Sequence, residues 1–126
     1  MITFETFITE EGIPIYLQII RHIKRGIVSG TVEHGDEVPS RRVLSALLGV
    51  NPNTIQKAYA MLEEEGLMES RSGAKSVMCL SKEKVDAVRQ QLLESDAQSV
   101  VAALKQMGLS KEEAVALIEC FWEQTQ

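Results

Sequence analysis

"GVNPNTIQKAY", residues 49–59, places Asn-Pro-Asn-Thr, four poor helix formers, at the head of a stretch whose later residues have helical spacing. Asn51 as an N-cap and Pro52 at the first helical position account for that start, since both residue types belong there. A proline also pushes the residue before it towards extended backbone, which is the conformation a cap needs. From this start Ile55, Ala58, Tyr59 and Leu62 share one face, while Asn53 and Lys57 point the opposite way, flanked by Gln56 and Ala60. The outward face is therefore amide, amine and small. A merely solvated face usually mixes both signs of charge, so this one predicts a recognition surface.

Upstream, Ser40 can cap a helix from Arg41 to Leu48, with Leu44, Leu47 and Leu48 expected on its inner face. Gly49 breaks it, and Gly49 and Val50 alone separate it from Asn51, which forces a steep crossing of two helices. Ser45 is small where the two would approach most closely. A helix, a glycine turn and a second helix at this spacing form the helix-turn-helix pattern. Downstream, Gly66 ends the second helix after Glu63, Glu64 and Glu65, a run expected to be solvated and to face away from the recognition surface. "LMESRSGAKSVMCL", residues 67–80, then reads as two short strands around a Ser72-Gly73 turn. A hairpin directly after a helix-turn-helix is a wing, and Arg71 and Lys75 flank its tip, suited to phosphates or a minor groove.

Before this motif, Pro14 suits the first position of a helix carrying Tyr16, Ile19, Ile20, Ile23 and Ile27 at three- and four-residue steps, ended by Gly30. "TVEHGDEVPS", residues 31–40, is a turn-rich connector expected to hold a short strand near Val38 and a solvated loop histidine, His34. After the wing, Val85, Val88 and Leu92 form one apolar stripe, and Leu93, Ala97, Val100, Leu104 and Met107 form another in slightly shifted phase. One helix from Lys82 to Met107 is expected to carry both, although a Ser95…Gln98 capping pair would permit a break. Gly108 stops it, Ser110 and Glu113 make a capping box, and a last helix runs to about Glu123 with Ala114, Leu117, Ile118, Phe121 and Trp122 at helical spacing. Two such helices are too few to bury their own stripes. Val100, Leu104, Leu117, Phe121 and Trp122 are therefore expected at an interface, against the N-terminal part, a second copy, or both.

The chain has 126 residues, 44% of them hydrophobic and 25% charged, which bounds it to one domain or a small domain with an appendage. It holds no apolar run of the about 18 residues that a membrane span needs. The opening MITFETFITEE carries acid rather than a basic region, so no secretory signal and a cytoplasmic location are expected. Cys79 and Cys120 stand far apart without Cys or His at ligand spacing, which predicts two buried or half-buried free thiols and no metal. The net charge of −5 is unusual for a nucleic-acid binder, but a phosphate backbone responds to the local face. No Asp or Glu occurs from Val38 through Leu62, whereas Arg41, Arg42 and Lys57 do. Acid is cleared from the one segment that contains Asn-Pro-Asn-Thr.

With these residues in view, the chain resembles the GntR superfamily of bacterial transcription regulators over about residues 13–80: "IPIYLQI", "SG…GDEVPSRR", "LGVNPNTIQKAYAMLEEEGL" and a glycine-tipped wing. "NPNT" and the short tail "LKQMGLSKEEAVALI" look like its YtrA-type branch. The resemblance implies a winged helix-turn-helix repressor that dimerises through its C-terminal helices. It places the family's DNA-contacting positions on Arg42, Asn51, Asn53 and Thr54, and the wing-tip glycine on Gly73. Two departures stand out. An acid usually follows "PS" where this chain has Arg41, expected to add a phosphate contact, and the second wing glycine has become Lys75.

The expected fold is thus mainly α with a small β wing: a winged helix-turn-helix over residues 1–80 and a helical dimerisation segment over residues 81–126. The candidate DNA-binding set is Ser40, Arg41, Arg42, Asn51, Asn53, Thr54, Gln56, Lys57, Arg71, Gly73 and Lys75. Asn53 and Gln56 are of the residue type that pairs bidentately with adenine. The expected activity is sequence-specific regulation by a homodimer on double-stranded DNA at an inverted repeat, with no cofactor; nothing in the chain specifies a small-molecule effector. The alternative is a winged-helix module that binds protein instead of DNA, which suits the acidic net charge but not the acid-free segment. An enzyme is disfavoured, because the chain has no Gly-rich phosphate loop, no nucleophile elbow and two unpaired histidines.

Overall fold

A computed structural model describes residues 2–71 and 75–124, in two compact units, Met1–Gln90 and Gln91–Gln126. The order of elements is α1 (Ile15–Ser29), α2 (Arg41–Leu48), α3 (Pro52–Glu64), β1 (Met68–Arg71), β2 (Lys75–Met78), α4 (Lys82–Gln106) and α5 (Lys111–Gln124). Helix dominates, and the strands form one antiparallel pair in which Met68 faces Met78 and Arg71 faces Lys75. The connector before α2 runs along the free edge of β2: Val38 N–H donates to Ser76 O at 2.9 Å and Met78 N–H to Asp36 O at 2.9 Å. That is the strand-like segment expected near Val38.

The core of the first unit is built from the expected faces. Ile19 and Ile23 of α1, Leu44 of α2, Ile55 and Leu62 of α3 and Met78 of β2 are fully buried. Helix α3 is the hub, packing on α1, on α2 and on β1. Tyr59 ties it to the entry of α2, its buried phenol donating to Pro39 O at 2.7 Å. Lys24, 6% exposed, reaches from α1 to the end of α3 and pairs with Glu65 at 2.8 Å.

Several side chains depart from the sequence reading. Leu47 is 66% exposed rather than internal, and Leu48 is half-buried. An eight-residue helix makes barely two turns, and here Leu44 alone supplies the buried contact. Pro14 stands at the N-cap of α1, one residue earlier than the first helical position. His34 is exposed but engaged, its Nδ1 accepting from Leu80 N–H at 2.9 Å, so it fastens the connector to the strand exit. The acidic run is not merely solvated: Glu65 holds Lys24, and Glu63 accepts from Ser70 Oγ at 2.7 Å. Cys79 is half-buried, whereas Cys120 is exposed.

The segment before α1 packs on that helix through contacts with no periodic signal. Phe4 is buried and stacks on His22 with ring centroids 4.6 Å apart, and the His22 Nε2 lies 2.6 Å from Thr3 O. Gln18 accepts from Glu10 N–H at 2.8 Å and donates to Glu10 O and Ile13 O, clamping the approach to α1.

Helix α4 is continuous from Lys82 to Gln106, without a break at Ser95. The capping box that opens α5 is formed in both directions: Ser110 N–H donates to Glu113 Oε1 at 3.0 Å, and Glu113 N–H donates to Ser110 Oγ at 3.1 Å. Val88 and Leu92 of α4 are buried, whereas Val100, Leu117, Phe121 and Trp122 stay open to solvent, Phe121 56% and Trp122 75% exposed. Among the described residues no helix is long and apolar enough to cross a membrane.

Burial raises the Tyr59 phenol above its ordinary value of 10.0. The unfolded chain therefore releases this proton at lower pH than the folded one. The stability linked to it is complete below about pH 10 and is lost as pH climbs towards the folded-state value. Tyr59→Phe should remove that part of the alkaline loss in thermal melts from pH 8 to 11. At neutral pH it should cost about 1 kcal/mol, since Pro39 O loses its buried donor.

Candidate nucleic-acid interface

The turn between α2 and α3 sets the interface. Gly49 adopts φ 68°, a left-handed conformation that a β-carbon disfavours, and so lets the chain reverse at once. Gly49 N–H and Val50 N–H both donate to Ser45 O, at 2.9 and 3.2 Å, while Ser45 Oγ donates to Val50 O. One small polar residue thereby satisfies the whole corner. Asn51 follows in extended backbone, and its Oδ1 accepts from Asn53 N–H at 2.8 Å, capping α3 with Pro52 at the first position. Ser40 plays the same part for α2, its Oγ accepting from Val43 N–H at 3.1 Å.

The two caps bring the starts of both helices to one surface. Ser40, Arg41, Arg42, Asn51, Asn53, Gln56 and Lys57 are exposed and Thr54 is half-buried. No carboxylate belongs to the segment from Val38 to Leu62 that forms this surface. Arg41 Nη1 donates to Gln56 Oε1 at 2.6 Å, a link across the two helices that sequence reasoning missed because the residues are far apart along the chain. Lys57 lies over the Tyr16 ring, Nζ 4.0 Å from its centroid, so α1 steadies this cation.

The wing stands beside the helices. A hollow of about 250 Å³ is lined by Ser40, Arg41, Gln56, Glu63 and Lys75 among others, which joins β2 to the starts of α2 and α3. Glu63 thus borders the surface it was expected to face away from, with Ser70 engaging its carboxylate. Each wing cation has an exposed acidic neighbour: Arg71 Nη2 lies 2.7 Å from Glu69, and Lys75 Nζ lies 3.6 Å from Glu37. Exposed pairs of this kind contribute about 0–1 kcal/mol, so a phosphate can replace either carboxylate at small cost. Gly73, expected at the wing tip, lies outside the described residues.

Three helices, a tight polar corner and an adjoining hairpin define a winged helix-turn-helix domain. The family model described as "Bacterial regulatory proteins, gntR family" matches residues 15–76. YhcF of Bacillus subtilis, an uncharacterized HTH-type transcriptional regulator, is 36% identical over 110 residues, covering 87% of this chain and 91% of that protein. The HTH-type transcriptional repressor YtrA of the same organism is 45% identical over 60 residues, 48% of this chain and 46% of that protein. A GntR family transcriptional regulator from Listeria monocytogenes superposes with a TM-score of 0.75 at 32% identity, over 88% of this chain and 97% of that one. The chain belongs to the gntR family of bacterial transcription regulators, a family of DNA-binding proteins and not of enzymes.

Asn51 and Asn53 are neighbours with separable roles in stability, because Asn51 caps the helix with its side-chain oxygen, which accepts a hydrogen bond, and Asn53 supplies only its backbone N–H as donor. Asn51→Ala should lower unfolding stability by about 1 kcal/mol, Asn51→Ser should restore most of it, and Asn53→Ala should change it by less than about 0.5 kcal/mol. Urea titrations of the three variants check this ordering.

Proposed function

We propose that this regulator is a cytoplasmic, homodimeric repressor that binds an inverted-repeat operator, with residues 1–80 binding DNA and residues 81–126 holding the dimer. The observation that carries the DNA reading is the surface formed by the starts of α2 and α3, whose segment from Val38 to Leu62 carries Arg41, Arg42 and Lys57 and no carboxylate of its own. The start of α3 enters the major groove, presenting Asn51, Asn53, Thr54, Gln56 and Lys57 to base edges and adjoining phosphates. Ser40, Arg42, Arg71 and Lys75 contact the phosphate backbone and fix the register.

The dimer reading is carried by the second unit. Val100 and Leu104 of α4 and Leu117, Ile118, Phe121 and Trp122 of α5 line an apolar hollow of about 510 Å³. All five residues expected at the interface belong to it. Burying such side chains against a second copy contributes roughly 25 cal/mol per Å² of apolar surface, and the resulting two-fold axis matches the symmetry of an inverted repeat. The repressor sign follows the relative named as a repressor.

Salt-dependent binding and sedimentation test the two halves of this reading. Arg42→Ala should keep its melting temperature, weaken binding to all sequences, and reduce the slope of log affinity against log salt by about 1. An unchanged slope and affinity would remove Arg42 from the interface, and salt-insensitive binding to a protein in place of DNA would replace the DNA reading. In sedimentation at about micromolar concentration the full chain should run as a dimer, and Trp122→Asp should shift it towards monomer by desolvating an unpartnered carboxylate. A monomeric full chain would overturn the dimer.

A further inference from the structure

The link between Arg41 and Gln56 bears on which base is read. A guanidinium has donors only, so the atom that Gln56 turns towards Arg41 is its amide oxygen, and the short 2.6 Å contact is that of a charge-assisted bond. Gln56 is thereby oriented with its amide nitrogen, two N–H donors, directed away from Arg41. Arg41 and Gln56 are both exposed, so the bonded pair offers these donors together with the remaining guanidinium N–H groups. Adenine offers the major groove one acceptor and one donor, and a free glutamine matches it with its own donor and acceptor. Guanine offers two acceptors, N7 and O6. With its oxygen turned towards a cation, the pair offers mainly donors and matches guanine, and the positive charge favours guanine's acceptor edge over the N6 amino group of adenine.

We infer that Arg41 and Gln56 act as one donor-presenting unit that reads a guanine in the major groove, with Arg41 as the positioning residue for Gln56. This rests on the DNA-binding reading above. It also alters the expectation for both residues: Gln56 alone would favour adenine, and Arg41 alone would supply a phosphate contact without sequence preference.

Binding-site selection from random duplexes, on the full chain and its variants, tests the unit. The relevant base pair is identified as the one whose preference Gln56→Met abolishes. In the wild type it should be guanine, favoured over adenine by roughly tenfold or more. Arg41→Met frees the amide oxygen and should switch that position to adenine, leaving the rest of the half-site unchanged. Arg41→Met/Gln56→Met should show no preference there. Arg41 is exposed in the first turn of α2, and thermal melts check that each variant is folded. If Arg41→Met weakens all sequences evenly, lowers the salt slope by about 1 and keeps guanine, Arg41 is a phosphate contact and the unit does not exist. If Gln56→Met abolishes no preference while the wild type still selects a half-site, Gln56 is not a reader and the inference falls alone. If the wild type selects no sequence, the inference and the DNA reading fall together.

Discussion

The helix-turn-helix depends on a corner that must reverse the chain in two residues and still satisfy its backbone. Ser45 solves this by accepting from Gly49 and Val50 through its carbonyl and donating to Val50 O through its hydroxyl. A larger side chain would hold the helices apart, and an apolar one would leave Val50 O without that partner, which costs about 1–3 kcal/mol when such a group is buried. Because Asn51 caps α3 at the very next residue, the direction in which α3 starts is coupled to the corner. The first turn of α3 is then directed by backbone hydrogen bonds at the corner and cap, with Ile55 buried beneath it. That preorganisation matters for any surface that must meet a rigid duplex, since ordering side chains on binding would subtract from affinity.

From this corner the rest of the first unit is placed by links to α3. Tyr59 holds Pro39 and so the start of α2; Glu63 holds Ser70 and so the first wing strand; Glu65 holds Lys24 and so α1. Each of these bonds reaches a different neighbour, so α3 is anchored on three sides while Asn53, Gln56 and Lys57 stay exposed. The same arrangement explains why acid is tolerated at the end of α3: Glu63 and Glu65 act in structural bonds, whereas under the proposed function a carboxylate near Asn53 would face the phosphates.

Features written by local chemistry were legible in the sequence. The caps at Ser40 and Asn51, the glycine stop at Gly49 and the Ser110–Glu113 box each need a few adjacent residues, and each formed as the residues dictate. Periodicity gave the core faces of α1 and α3, which run for several turns. It failed at Leu47, because a helix of two turns has too few positions to define a face. Contacts that join distant residues left no mark in any window: the Gln18 clamp, the Phe4–His22 stack and the Arg41–Gln56 bond depend on how elements cross, which residue spacing does not encode. The candidate site was therefore legible as a set of residue types, while the bond that joins Arg41 to Gln56 was not.

The acidic net charge takes on a meaning once the surface is mapped. A chain at −5 is repelled by DNA as a whole, yet one segment carries Arg41, Arg42 and Lys57 and no carboxylate. Under the proposed function, attraction is confined to that face and repulsion acts on the others, so encounters in the wrong orientation are disfavoured before any base is read. A uniformly basic protein would gain non-specific affinity from every face and would spend longer on irrelevant sites. The balance also explains the local pairing of the wing cations. Lys75 with Glu37 and Arg71 with Glu69 are neutral until a phosphate displaces the carboxylate, so the wing adds little attraction at a distance.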